Sequence, residues 1–399
     1  MLVLAVSISL CGCASESGWM PSHDTKEQNA KVDITQNETQ QDTLTAGDSE
    51  SRVDITQDET LGLYYYEQLN SEDKALYDEI YSLLVSRADD IRLSGMDTQK
   101  IDDIFLFVTM DHPELYSVTG YNLTKHSIGD TPMYYSMSGI FAMTKEEADS
   151  YIPTINAYTD SVDKYISSLY PEGCDDYELI KAVYEYIINN TEYDSSAINN
   201  QNIVSVMKDG RSVCQGYAKT FQYILNRYGI ECALVSGTVL ENQPHAWNVV
   251  KADNEYYQVD ITWGDASYLI KQNDMLTDKT LPPISYNYLL VTTDEITKTH
   301  SIDSKLKLPQ CISLSDNYYV REGVYFKEVD TDKLSQVFER AYKNGDETVT
   351  IKMSDSDAYS KMQKYLLREQ KIFEYYRSSD QITYVEDPAA NCMIFWILV

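Results

Sequence analysis

Basic residues and histidines are scarce in this chain. Against 63 Asp and Glu stand 32 Lys and Arg, a formal charge of −31 over 399 residues. A field of that sign repels nucleic acid, and no basic stripe interrupts it, so nucleic-acid partners are excluded and contact with polyanionic surfaces has to be local. Long apolar runs are missing too. The opening MLVLAVSISLCG and the closing CMIFWILV fall short of the ~20 residues that a membrane-spanning helix needs. The closing run reads as a buried strand. Large apolar side chains are almost absent from residues 14–60, which are rich in Ser, Thr, Asp, Glu, Gln and Asn. Inside that stretch KVDITQNET (31–39) recurs as RVDITQDET (52–60). One duplicated nonamer is too short for a solenoid repeat and fits an unconstrained spacer. As a flexible chain, these residues would span roughly 40 Å end to end.

What is present is enough for real cores. Apolar residues make up 43% of the chain, and the length favours two or three domains. The 34 Tyr residues are scattered over the whole chain, as half-buried amphipathic side chains are. The spacing of Leu69, Leu76, Ile80 and Leu83-Leu84 predicts a helix over 64–85, with Asn70-Ser71 as its cap. An apolar run at 101–110 ends at Asp111-His112-Pro113, Tyr-rich alternation covers 133–141, and a helix over 145–169 is interrupted at Pro153. This front domain, 61–164, is expected to be mainly helical. His112 and His126 have no partner there at metal-ligand spacing and read as ordinary turn histidines. A strong amphipathic helix at 177–189 and a short one at 203–208 open the next unit, 165–305. After Pro309 a last module, 306–399, is expected to hold a hairpin at 318–326, helices at 331–343 and 354–376, and strands at 347–353, 382–385 and 392–399. Alternating strands and helices suggest a small α/β unit. Asp355 and Asp357 have the spacing that opens an EF-hand loop. Tyr359 and Ser360 then stand where that loop needs a ligand and a Gly, so no calcium site is expected.

The chemistry-bearing residues lie in two segments. In GRSVCQGYAKTF, Ala218, Phe221, Ile224 and Leu225 follow Cys214 at helical spacing, so Cys214 falls in the first turn of a helix. Unpaired backbone N–H groups and the positive end of the helix dipole favour a thiolate there. Gly216 permits a close backbone approach. A cysteine beside an apolar stripe is by itself more often a buried structural residue. In PHAWNVVKADNEYYQVDITW two strands flank a tight turn. With Asp253-Asn254 as the turn, Trp247 lies opposite Asp260. His245, two residues before Trp247, then points to the same face as Asp260. Such diagonal neighbours are ~7–8 Å apart at the backbone, a gap that their side chains close with a hydrogen bond. That is the logic of a nucleophile, a base and an orienting acid. Of the five histidines, His23 lies in the spacer and two lie in the front domain. His300 follows an expected strand at 286–292 and reads as structural or supporting.

The G-x-x-V-C-x-G-Y-A segment around Cys214, the H-A-W-N strand from His245 and the D-x-T-W strand from Asp260 resemble the core of the transglutaminase-like superfamily over residues 165–300. The resemblance implies an α+β, papain-like core in which the helix bearing the cysteine packs on an antiparallel sheet. It implies Cys214 as nucleophile, His245 as general base and acid, Asp260 as orienting residue, and Trp247, Trp263 and Tyr193 as walls of the site. It implies no cofactor and no metal. The activity implied is hydrolysis or transamidation of protein or peptidoglycan peptides through a thioester. A binding or scaffold protein on the same fold is the other reading.

Leu10-Cys11-Gly12-Cys13 resembles a bacterial lipobox. It implies a signal peptide at 1–12, a lipid on Cys13, a tether over 13–60 and a location on the outer face of a cell membrane. The arrangement of front domain, core and C-terminal module is similar to that of lipoproteins of Gram-positive anaerobes. Five cysteines follow Cys13, an odd number that leaves disulfide pairing open.

Overall fold

The computed structural model describes residues 22–27, 63–128, 131–239, 242–266, 268, 281–377 and 382–397. Cys13 and most of the expected tether lie outside them. The described residues build three four-stranded sheets, each over its own buried side chains.

The front unit comprises β1 (Ser22–Glu27), α1 (Tyr64–Glu67), α2 (Ser71–Ser86), β2 (Ile91–Arg92), α3 (Thr98–Asp111), β3 (Val118–Ile128) and β4 (Thr131–Phe141), with sheet order β1-β3-β4-β2. Asn70 caps α2 by accepting from the N–H groups of Glu72 and Asp73, and Asp97 caps α3 through Gln99 and Lys100. Such caps contribute about 1 kcal/mol each. Both helices lay Ile80, Leu84, Ile101 and Phe105 on the β3–β4 hairpin, where Tyr121, Leu123, Tyr135 and Met137 point inward. A sheet thus stands beside the helices expected to dominate, because the period of two along β3 and β4 buries one face. One stretch of the expected tether also departs from that reading. Ser22–Glu27 pairs in parallel with β3, whose outer edge offers an open row of backbone donors and acceptors.

The middle unit starts with α4 (Lys145–Asp149) and α5 (Ile152–Leu169), the expected helix divided at Ser150-Tyr151 with Pro153 in the first turn of α5, where its missing N–H costs nothing. A capping box between Asp175 and Glu178 starts α6 (Asp176–Asn189). β5 (Glu192–Tyr193), α7 (Ile203–Asp209) and β6 (Arg211–Ser212) lead into α8 (Cys214–Arg227). Then come β7 (Cys232–Val239), β8 (Gln243–Ala252), β9 (Glu255–Val259), α9 (Ile261–Gly264), α10 (Thr293–Ile296) and β10 (His300–Ile302). The antiparallel sheet has the order β10-β7-β8-β9. α8 packs against this sheet on one side and α6 and α7 on the other. Every residue from Gly216 to Leu225 is buried, as befits a central helix. Asp253 and Asn254 both adopt left-handed backbone, φ 47° and 67°, the two-residue turn that matches strand twist. The register pairs Asn248 with Val259 and Ala252 with Glu255, as the even turn predicts.

The strand expected at 286–292 is instead a turn-rich segment held to β9 by a bridge between Gln258 and Val291, since Leu290 at φ 55° breaks the extended run. In the last unit the expected hairpin at 318–326 is a helical turn, α11 (Tyr318–Arg321), followed by β11 (Tyr325–Phe326). The Asn317 side chain accepts from the Tyr319 N–H and starts that turn. α12 (Thr331–Asn344), β12 (Thr348–Met353), α13 (Ser356–Gln363), β13 (Thr383–Asp387) and β14 (Cys392–Trp396) complete it, with sheet order β11-β12-β14-β13. The long helix expected at 354–376 stops as α13, runs through a wider turn at Lys364–Arg368 and ends at Gln370, φ 58°. Asp355 is the cap of α13, which accounts for its carboxylate without a cation.

The entry to α8 is tightly packed. Ser212 Oγ donates to the Asn200 carbonyl at 2.7 Å and the Val213 N–H reaches the same carbonyl at 3.0 Å. A Cβ on Gly216 would collide with Ser212 Oγ and stand 3.0 Å from the Asn202 carbonyl. Gly216→Ala is therefore expected to cost about 1–3 kcal/mol, read as a lower denaturant midpoint. An unchanged midpoint would show that the strap yields freely.

Candidate active site

The middle unit brings Cys214, His245 and Asp260 to one place. Cys214 is the first residue of α8, and its cap residue Val213 provides no side-chain hydrogen bond, so the thiol stands by amide groups at the positive end of the helix. β8 faces that end. Asn248 Nδ2 donates to the Ala218 carbonyl of α8 at 3.1 Å, which fixes the strand three residues beyond His245 against the helix. His245 Nε2 lies 2.7 Å from Asp260 Oδ2. Cys214 lies near enough to the ring to favour its charged form. Exposure falls inward along the row, from 7% at Cys214 to 3% at His245 and none at Asp260.

Asp260 is saturated with donors. Oδ1 accepts from the N–H groups of Thr262 and Trp263 at 2.9 and 3.2 Å, as the cap of α9. Oδ2 accepts from His245 and, at 2.9 Å, from His300 Nε2. Burial opposes its charge, but the His245 imidazolium and the donors from both rings hold the carboxyl well below the usual carboxylate range. Burial likewise opposes a charged His245, yet Asp260 and Cys214 together push it up to about 10. His300 moves the other way. Burial and the His245 charge lower it against the pull of Asp260, so it is a neutral donor to Asp260, with Nδ1 held 2.8 Å from Thr299 Oγ1.

His245, Asp260 and His300 also form the sort of cluster that holds a metal ion. Two ligands at ordinary zinc distances and a tetrahedral angle stand about 3.4 Å apart. The contacts here are 2.7 and 2.9 Å, hydrogen-bond lengths with shared protons. The trio reads as a clamp on a carboxylate.

Trp247 and Trp263 come to the site in a different way from the cleft walls expected. Trp247 is fully buried and Trp263 nearly so, with rings 5.0 Å from His300 and 6.1 and 6.4 Å from His245. They box the imidazole pair from inside, because Trp247 shares the inward face of β8 with His245 and spends its N–H on Gln258 at 2.8 Å. Tyr193, on β5, does lie by the thiol. Burial, then the neighbouring Cys214 side chain, raises its hydroxyl, and it packs on Tyr268 with ring centres 4.6 Å apart. Tyr268 and the clamp made by His300 are site features that sequence reasoning did not identify. His300 carried one signal, a histidine without other duty in the same unit. The segment that brings it back to β7 has no motif. His112 and His126 are engaged elsewhere, with Glu114 at 2.6 Å and Ser136 at 2.8 Å.

Known proteins resemble this chain over part of its length. A family model described as the transglutaminase-like superfamily matches residues 167–261. Over 232 residues the chain is 26% identical to the kyphoscoliosis peptidase of Homo sapiens, covering 52% of this chain and 33% of that protein. The protein of the same name from Mus musculus is 24% identical over 210 residues, 48% of this chain and 31% of that one. The chain thus spans about a third of the length of the curated relatives it matches. Among solved structures, a TGase aligns at 23% identity with a TM-score of 0.24, over 36% of this chain and 44% of that one.

The buried pair makes one expectation directly measurable. The His245 contribution to stability is complete below about pH 6.5 and is lost as pH rises through about 10, since its folded value is raised. In an NMR titration the His245 ring should stay charged past neutral pH in the native protein and fall towards its ordinary value in Asp260→Asn. A native midpoint near 6.5 would contradict the pairing.

Proposed function

With a domain of the transglutaminase-like superfamily at residues 167–261, we propose that this chain is a thiol enzyme acting on amide or peptide bonds through Cys214, His245 and Asp260. The observation that carries the proposal is the buried hydrogen bond of 2.7 Å between His245 and Asp260, with Cys214 near enough to favour the charged ring. Asp260 fixes the ring and its charge. The sulfur attacks the carbonyl carbon, a C–S bond forms, and the Cys214 N–H at the helix tip donates to the developing oxyanion. His245 passes its proton to the leaving amine as the C–N bond breaks, which leaves a thioester. Water resolves the thioester in hydrolysis and a second amine does so in transamidation. Hydrolysis is the preferred outcome. The substrate class proposed is protein or peptidoglycan peptides at the outer face of a cell membrane, with the chain held there by a lipid on Cys13.

The remaining thiols support the choice of nucleophile. Cys174, Cys232, Cys311 and Cys392 are free, and burial raises each of them, Cys311 to about 11 and Cys392 to about 12. They are held protonated and slow. Iodoacetamide labelling read by peptide mass spectrometry should modify Cys214 at least about tenfold faster than the other four. That advantage should vanish in His245→Ala. Cys214→Ala should keep its melting temperature while losing activity on casein, on peptidoglycan stem peptides and with a fluorescent amine donor. Equal slow labelling of all five thiols would overturn the proposal.

A further inference from the structure

A cavity of about 280 Å³ opens between the front unit and α8. α3 forms one wall with Leu106 and Met110, Asn200 and Gln201 form another, and Gln215 and Lys219 project from α8. Gln215 directly follows Cys214, and Met110 and Leu234 both line the cavity and pack in the cluster that holds Cys214. The cavity therefore borders the first turns of the helix that Cys214 opens.

Two of its polar side chains lack partners. Lys219 is 8% exposed and makes no hydrogen bond or ion pair among the described residues. Gln215 Oε1 is buried without a partner. Burial brings the Lys219 ammonium down to about 8 against the opposing pull of Glu114, whose carboxylate His112 Nδ1 holds at 2.6 Å. A buried lysine left unpaired is costly, and a donor and an acceptor one helical turn apart on one face describe what would satisfy them. Ligand pockets usually run to roughly 300–1,000 Å³, so this one suits a single side chain or a chain terminus. Its apolar wall suits methylene groups.

We propose that this cavity is a substrate subsite that takes a carboxylate-bearing peptide group, an acidic side chain or a C-terminal carboxylate, with Lys219 as its counter-ion and Gln215 Oε1 accepting from a neighbouring N–H. The role as a substrate subsite rests on the thiol-enzyme reading; the carboxylate site does not. The front unit then has a function, since α3 closes the pocket and is tied to α8 by Gln222 Nε2 donating to the Met110 carbonyl at 2.9 Å.

The test uses the whole chain and N-chloroacetyl-glutamate against N-chloroacetyl-glutamine, each rate of Cys214 alkylation divided by that protein's rate with iodoacetamide. One charge-assisted hydrogen bond predicts a preference of about tenfold for the glutamate probe. In Lys219→Met the preference should fall to about one, with a melting temperature no lower than the native value because an unpaired buried charge is gone. Equal normalised rates in the native protein, with fast iodoacetamide labelling, would overturn the subsite and leave the thiol reading standing. If iodoacetamide labelling is itself slow, the thiol reading fails, and calorimetry of N-acetyl-glutamate on Cys214→Ala decides the carboxylate site alone. Binding there that Lys219→Met abolishes supports the site, and no binding overturns it. A large stability loss in Lys219→Met with selectivity unchanged would assign Lys219 to Glu114 instead.

Discussion

The Asp260 carboxylate is the group on which the middle unit depends. It carries charge where no water reaches it, and four donors, two backbone and two imidazole, keep it there. Removing one partner from a buried ionic contact typically costs about 3–5 kcal/mol, because the other charge is left uncompensated. The surroundings are arranged to prevent that loss. The turn at Asp253-Asn254 sets the register that puts Asp260 beside His245, α9 starts on its carboxylate, and β10 returns from far along the chain to supply His300.

The same carboxylate links structure to chemistry. By holding His245 charged, it gives the thiol at the tip of α8 a cation to face. The two tryptophans keep solvent from the imidazole pair, and in such a setting charge–charge attraction is far stronger than in water. Exposure that rises from Asp260 to Cys214 leaves the proposed nucleophile nearest to the surface and its support deepest. The front unit completes this arrangement from outside. The Tyr65 hydroxyl reaches the Leu234 carbonyl at 2.6 Å and Gln222 reaches the Met110 carbonyl at 2.9 Å, so α3 stands as a fixed wall beside the helix that bears the thiol.

Local signals made much of this legible. The helical repeat after Cys214 placed the thiol in a first turn, and an even turn between two strands put His245 and Asp260 on one face. Both follow from periods of 3.6 and 2 within a short local segment. What was not legible depends on contacts distant in the chain. His300 meets Asp260 across 40 residues with no spacing to announce it. Trp247 and Trp263 were recognisable as site residues, but whether they line a cleft or back the histidines depends on which face the third strand covers. In the last unit, Gln370 and the cap at Asn317 reshape segments whose composition reads as one long helix and one hairpin. Neither uses Gly or Pro, the residues that punctuate sequence most clearly.

The central claim is that one thiol, activated by one imidazole, forms an acyl intermediate. The measurement closest to that claim is the intact mass of the protein after brief mixing with p-nitrophenyl acetate, with peptide mapping of the product. The account predicts a single acetyl group on Cys214 that forms in a burst and turns over, disappears in Cys214→Ala, and forms without a burst in His245→Ala. Acetylation spread over several thiols, or a Cys214 adduct formed at the same rate without His245, would contradict it.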